Sequence, residues 1–204
     1  KIVLAQSDSH MTWREARPSN DFKRLAPKLD TLFQLKREEA NIKAGIMGVT
    51  PYEALLDQFD PGRREVQVDR IFDDLAGFLP GIVQQVMQKQ AALPPPVMPP
   101  GPFPVARQIE LSHEVMRVFG FPFDRGRLDT AHHPFSGGAD GDIRIATRYD
   151  EGDFMKSLMA VIHETGHALY EDGRPQQWRG QPVGYSRGMT LHESQSLLLE
   201  MQAA

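Results

Sequence analysis

Seven prolines within twelve residues, LPPPVMPPGPFP at positions 93–104, constrain the fold more than any other feature of the chain. Proline lacks the backbone N–H that helices and sheet ladders need, and its ring fixes φ at about −65°. A run this dense is therefore an extended loop. It divides the chain into a helical region over residues 1–92, the proline-rich loop at 93–104 and a second region over 105–204. The loop is either a linker or a rigid crossing on the surface of one domain.

The region before the loop has helical periodicity. Phe22, Leu25, Leu29, Leu32 and Phe33 recur at helical spacing, and Pro27 either bends this helix or marks a late start. Thr50, Pro51 and Glu53 form the pattern of a capping box with proline at the first helical position. Between 65 and 90, Val68, Ile71, Phe72, Leu75, Leu79, Ile82, Val83 and Val86 make a long apolar stripe, with Pro80 placed to kink it. Beyond the loop, a helix is predicted over about 105–119, stopped by Gly120. The pattern then changes. In DGDIRIATRYD, Ile143, Ile145, Thr147 and Tyr149 alternate with Asp142, Arg144, Ala146 and Arg148, which predicts a strand over 142–149 with one buried face. Asp153 can cap a helix over about 154–171, and another helix is predicted over about 189–203. No internal repeat is present. The chain reads as mainly α with a small β element.

Composition excludes several classes. Hydrophobic residues at 40% and charged residues at 25% give a soluble globular profile. The net charge of −4 provides no basic footprint for nucleic acid. No apolar run approaches the roughly 18 residues needed to span a bilayer, so no membrane partner is expected. The first residues, KIVLAQSDSHMTWREAR, lack the apolar core and cleavage site of a signal peptide. With no cysteine in the chain, disulfides are excluded and any metal must be held by His, Asp or Glu. A cytoplasmic setting fits this.

The stretch VIHETGHALYE, residues 161–171, carries the chemistry. Positions i and i+4 of a helix lie on one face, so His163 and His167 can both turn an imidazole nitrogen to one ion. Glu164 sits about 100° further round, where it reaches a water on the ion rather than the ion itself. This is why the His-Glu-x-x-His pattern has that spacing, with the carboxylate as general base. A catalytic zinc also needs a third protein ligand and one open position. GMTLHESQSLLLEMQ, on the following helix, offers Glu193, with His192 as the alternative; adjacent helical residues point too far apart for both to face the ion. Glu193 is preferred, although Thr190 and Glu193 also match a capping box, which would leave Glu193 as a cap. Zinc is the default for a His, His, carboxylate set, and cobalt can occupy the same geometry. The strand at 142–149 fits beside such a helix, with a free edge on which a peptide can pair.

LDTAHHPF (128–135), TRYDEGDF (147–154), HETGHALYE (163–171) and HESQSLLLE (192–200), in this order and at these spacings, resemble the carboxypeptidase Taq family of metallopeptidases. WREARPSNDFKRLAPKLDTLFQLKREEA (13–40) is similar to that family's helical region. The resemblance covers nearly the whole chain. It implies a mainly α, helical zincin-type metallopeptidase with a small β-sheet beside the metal helix and a deep groove. It implies His163, His167 and Glu193 as metal ligands, and Glu164 as general base and proton shuttle. It also implies His133, within the His-Pro-Phe motif, as a groove residue contacting substrate or the reaction oxyanion; a turn with a packed Phe135 is the competing reading of that motif. The implied activity is removal of residues from peptide C-termini with broad specificity, by a homodimer when full length. Two later family motifs have no counterpart here, and family members are about twice as long. The chain is therefore expected to be the central piece of a larger protein, one truncated domain, with the arginine that holds the substrate carboxylate lying elsewhere. Arg144 and Arg148 read as solvent-facing strand charges. As a fragment the chain is expected to bind metal even if inactive. Competing functions are an endopeptidase or aminopeptidase on the same metal chemistry, and a metal-free helical interaction module. Acidic groups that could orient the imidazoles from behind are Glu171, Asp150 and Asp153, each also readable as surface charge or helix cap.

Overall fold

A computed structural model describes residues 1–97 and 99–203. Two compact units emerge, Lys1–Val83 and Gln84–Ala204. The first unit begins with α1 (Ile2–Ala16) and α2 (Phe22–Met47), which pack together, followed by α3 (Pro51–Leu56) against α2. Helix α1 lies within the region 1–92 expected to be helical, ahead of the periodic stretch that starts at Phe22. Asp21 caps α2 by accepting from Arg24 N, so the helix starts ahead of Pro27 and runs through it. It stops at Gly48, whose φ of 66° is the left-handed conformation that glycine adopts without strain. The capping box forms as the sequence requires. Thr50 Oγ1 accepts from Glu53 N, and Glu53 Oε2 accepts from Thr50 N, both at 3.2 Å.

Helix α4 (Glu65–Ala91) is continuous through Pro80. Its apolar stripe is present but buries nothing: Ile71, Phe72, Leu79, Ile82, Val83 and Val86 are all exposed. In the proline-rich segment the described residues have no helix or strand. Phe103 N donates to Glu151 O at 2.8 Å, and Gln108 Nε2 donates to Phe103 O at 2.7 Å and to Asp150 O at 2.9 Å. The end of this segment is thereby fixed to the second unit.

The second unit continues with α5 (Val105–Val118), β1 (Gly126–Thr130), β2 (Phe135–Ala139), β3 (Asp142–Thr147), α6 (Phe154–Asp172) and α7 (Met189–Leu198), the last running into a π-helical turn at Leu199–Ala203. Only β3 was evident as a strand. The sheet order is β1-β3-β2, with β1 parallel and β2 antiparallel to β3. The strand is therefore central rather than an edge, and both of its sides are already paired. The free edges belong to β1 and β2. Ala146 is buried together with Ile143, Ile145 and Thr147, so the end of β3 nearest Thr147 is buried on both faces while Arg144 is not. Arg144 is exposed and pairs with Asp142 at 2.7 Å, as expected of a solvent-facing strand charge.

Met116, Phe121, Ile143, Ile145, Val161 and Ala168 form the core, with Leu128 packed against it. It joins α5, the sheet and α6. Each large aliphatic side chain buried there contributes roughly 1.5–3 kcal/mol. A polar tie runs through the same layer: Ser157 Oγ donates to Gln108 Oε1 at 2.7 Å, joining α6 to α5. No helix among the described residues is long and apolar enough to cross a membrane.

Candidate metal centre

Helix α6 begins where Asp153 Oδ1 accepts from Met155 N at 3.1 Å. Its buried side carries Val161, Ile162, Thr165, Gly166, His167 and Ala168, which sets the helix phase and leaves His163 and Glu164 half-buried beside the core. Helix α7 has Gly188 at its N-cap position, without a side-chain cap. Thr190 thus lies inside the helix rather than at its cap, and Glu193 does not serve as the box partner. The two helices meet at Gly166. A Cβ built there would stand 2.5 Å from Ser196 Cα and 2.6 Å from Gln195 O. Glycine is the residue that allows this close approach, and the approach brings Glu193 over the histidines.

His163 Nε2 lies 3.4 Å from Glu193 Oε1, and His167 Nε2 lies 3.3 Å from Glu193 Oε2. These distances exceed those of ordinary N–H···O hydrogen bonds, about 2.7–3.2 Å. They match a shared ion instead: ligand atoms about 2.0–2.1 Å from a tetrahedral centre stand about 3.3–3.4 Å apart. One ligand atom from each of His163, His167 and Glu193 lies within 4.8 Å of the other two, the only group of three or more His, Cys, Asp or Glu residues among the described residues able to hold a metal. The donor set, two imidazoles and a carboxylate, suits zinc with a position left open.

The other ring nitrogens are engaged. His163 Nδ1 faces Glu200 Oε2 at 2.7 Å. His167 Nδ1 faces His192 Nδ1 at 2.6 Å, and His192 Nε2 faces Glu171 Oε1 at 2.8 Å. His192, weighed as a third ligand, therefore stands behind His167, and Glu193 occupies the position facing both Nε2 atoms. Glu171 turns inward to His192 instead of being a surface charge. Asp153 is a cap, and Asp150 Oδ1 accepts from Gly152 N in a turn. Glu200 was missed. Its signal was its seven-residue offset from Glu193, which returns to nearly the same helix face.

Burial, the largest influence on Glu164, pushes its carboxyl up from the usual range, while a hydrogen bond from Ser136 on β2 acts the other way. A carboxylate so placed is a stronger base near neutral pH. Burial above all pulls His167 down and favours the neutral imidazole a metal requires. A cavity of about 450 Å³ is lined among others by Ser136, Ala168, Glu171, Arg174 and His192, which include the partners of Glu164 and His167 rather than those residues themselves.

His133 sits in the bend between β1 and β2 and is exposed; it does not join the converging ligand atoms. Phe135 opens β2 with 53% exposure, so the packed-phenylalanine reading of this motif does not hold.

A mainly α chain with a His-Glu-x-x-His helix, a carboxylate from the next helix and a small sheet alongside defines a metallopeptidase-type site. Over residues 1–204 the sequence matches the family model of the carboxypeptidase Taq (M32) metallopeptidases. The chain belongs to this family. It is similar to thermostable carboxypeptidase 1 of Thermus thermophilus, 33% identical over 96% of this chain and 40% of that protein. It is 35% identical to carboxypeptidase 1 of Bacillus subtilis, over 98% of this chain and 40% of that protein. Among solved structures, Trypanosoma cruzi metallocarboxypeptidase 1 matches with a TM-score of 0.88 at 43% identity, covering 98% of this chain and 40% of that one. The M32 carboxypeptidase from Deinococcus radiodurans matches at 0.84 and 34%, with the same coverage. The chain thus spans about 40% of the length of these relatives. Family membership implies a divalent metal.

Proposed function

We propose that the protein is a metallocarboxypeptidase that hydrolyses C-terminal residues from peptides with broad specificity. The observation that carries this is the convergence of His163 Nε2, His167 Nε2 and the Glu193 carboxylate at 3.3–3.4 Å, with the half-buried Glu164 beside them. His163, His167 and Glu193 would hold the ion, which we assign as zinc, with cobalt able to take its place. When bound, the ion supplies Lewis acidity at the scissile carbonyl and at water. Glu164 takes a proton from the attacking water and delivers it to the leaving amine, aided by the burial that raises its basicity. Ser136 holds that carboxylate from β2. His133 contributes to the wall of the peptide groove. The setting we assign is a cytoplasmic homodimer of the full-length protein, consistent with a chain free of cysteine.

The test uses the full-length protein. Replacing Glu164→Gln is expected to leave stoichiometric metal in place and to lower turnover by about 10²–10⁴-fold. Parent-rate hydrolysis by this variant would refute the role of Glu164. Peptides with a blocked C-terminus are expected to resist cleavage. Cleavage of these peptides at the unblocked rate would make the enzyme an endopeptidase or an aminopeptidase, and blocking the N-terminus as well separates those two.

A further inference from the structure

The two histidines are held from behind in different ways. His163 meets a carboxylate directly, at Glu200. His167 meets a second imidazole, His192, and only beyond that a carboxylate, Glu171. An ionised carboxylate accepts and cannot donate, so Glu171 keeps the proton of neutral His192 on Nε2. His192 Nδ1 then carries a lone pair and accepts the Nδ1–H of His167. The His167 proton is thereby kept away from Nε2, the nitrogen 3.3 Å from Glu193. Glu171 is fixed in turn: Arg174 Nε donates to its backbone O at 3.2 Å and ion-pairs with its Oε2 at 2.7 Å, while the same guanidinium donates to Asp140 Oδ1 at 2.8 Å and to Gly184 O at 2.7 Å. Arginine only donates, so this end of the chain of bonds cannot reverse. Along this path the side chains of His192 and Arg174 are 12% and 17% exposed and that of Glu171 34%.

The geometry points to His192 and Glu171, clamped by Arg174, as positioning residues that set which nitrogen of His167 is offered to the metal. This rests on the assignment of His163, His167 and Glu193 as ligands. Neither His192 nor Glu171 touches the ion or the peptide in this scheme; both act through His167.

Glu171→Gln tests it at nearly constant shape. Arg174 requires the amide oxygen, which turns the amide NH₂ onto His192 Nε2. Every bond of the relay then reverses, and the His167 proton moves to Nε2, where it blocks coordination. Glu200→Gln is the comparator. Among the described residues its partner is His163, so its amide oxygen can keep accepting the Nδ1–H. In the full-length protein, zinc affinity is measured by chelator competition, and X-ray absorption counts the imidazoles on zinc. The parent is expected to show two. Glu171→Gln is expected to bind zinc about 10–100-fold more weakly and to show one, while Glu200→Gln keeps two with a smaller loss. Two imidazoles with affinity within about threefold of the parent in Glu171→Gln would overturn the relay. Fewer than two in the parent would overturn the ligand assignment instead. If circular dichroism shows Glu171→Gln to be misfolded, His192→Phe replaces it. That variant removes the acceptor and is expected to lower zinc affinity at least about tenfold; unchanged affinity would again overturn the relay.

Discussion

Substituting Gly166→Ala opposes two physical effects in one methyl group. In the interior of a helix, alanine is favoured over glycine by about 1 kcal/mol, so propensity alone predicts a more stable protein. The added Cβ, however, would lie 2.5 Å from Ser196 Cα and 2.6 Å from Gln195 O. Carbon atoms pack at about 3.5–4.0 Å, so α7 must retreat from α6 by about 1 Å at this point. Overpacking of this kind costs about 1–3 kcal/mol. The net loss of fold stability is therefore modest, roughly 0–2 kcal/mol. The consequence for the metal is larger. Glu193 lies one helical turn before Ser196 and moves with it, whereas metal–ligand distances tolerate only about 0.2 Å. Zinc affinity, measured by chelator competition on the full-length protein, is expected to fall by at least about 100-fold, with thermal unfolding lowered by a few degrees. A variant that binds zinc within about threefold of the parent and melts at a higher temperature would refute the close-approach argument and leave propensity as the sole effect.

Three further outcomes are expected. Truncating Ile145→Ala, fully buried between the sheet and α6, is expected to cost about 2–5 kcal/mol in denaturant unfolding. Thr50→Ala removes the cap of α3 and is expected to cost about 0.5–2 kcal/mol, read in the same assay. Arg125 holds Asp172 through two contacts, at 3.0 and 2.6 Å, and above all through them keeps its carboxyl below the usual range. A depressed folded-state value means that this stabilisation is fully present above the unfolded value, about pH 4, and is lost as pH falls below it. Asp172→Asn is therefore expected to lower stability by roughly 1 kcal/mol at neutral pH and to flatten the acid limb of the stability profile; an acid limb identical to the parent's would count against this pair.

The features evident in the sequence were those with short-range causes. The Thr50–Glu53 box, the Asp153 cap, the end of α5 ahead of Gly120 and the His163–Glu164–His167 spacing each depend on residues within about one helical turn. Strand pairing was different. β2, FSGGA, has no apolar alternation and two adjacent glycines, so nothing local marked it as a strand. Yet it and β1 occupy the two sides of β3, leaving that strand without the free edge expected of it. The stripe on α4 shows the opposite failure. Its periodicity was correct, but the side chains are exposed, because periodicity specifies a face without specifying what covers it.

The sequence by itself determined the helix that carries His163, Glu164 and His167 on neighbouring positions of one turn, because i to i+4 geometry and capping are local, and it singled out Glu193 on the following helix. Only the tertiary structure decided that Glu193 rather than His192 faces the Nε2 atoms, and that Glu200, His192 and Glu171 stand behind the two rings. The reason is helix phase: the contact of Gly166 with Ser196 fixes how α7 is rotated against α6, and neighbouring residues on a helix point about 100° apart.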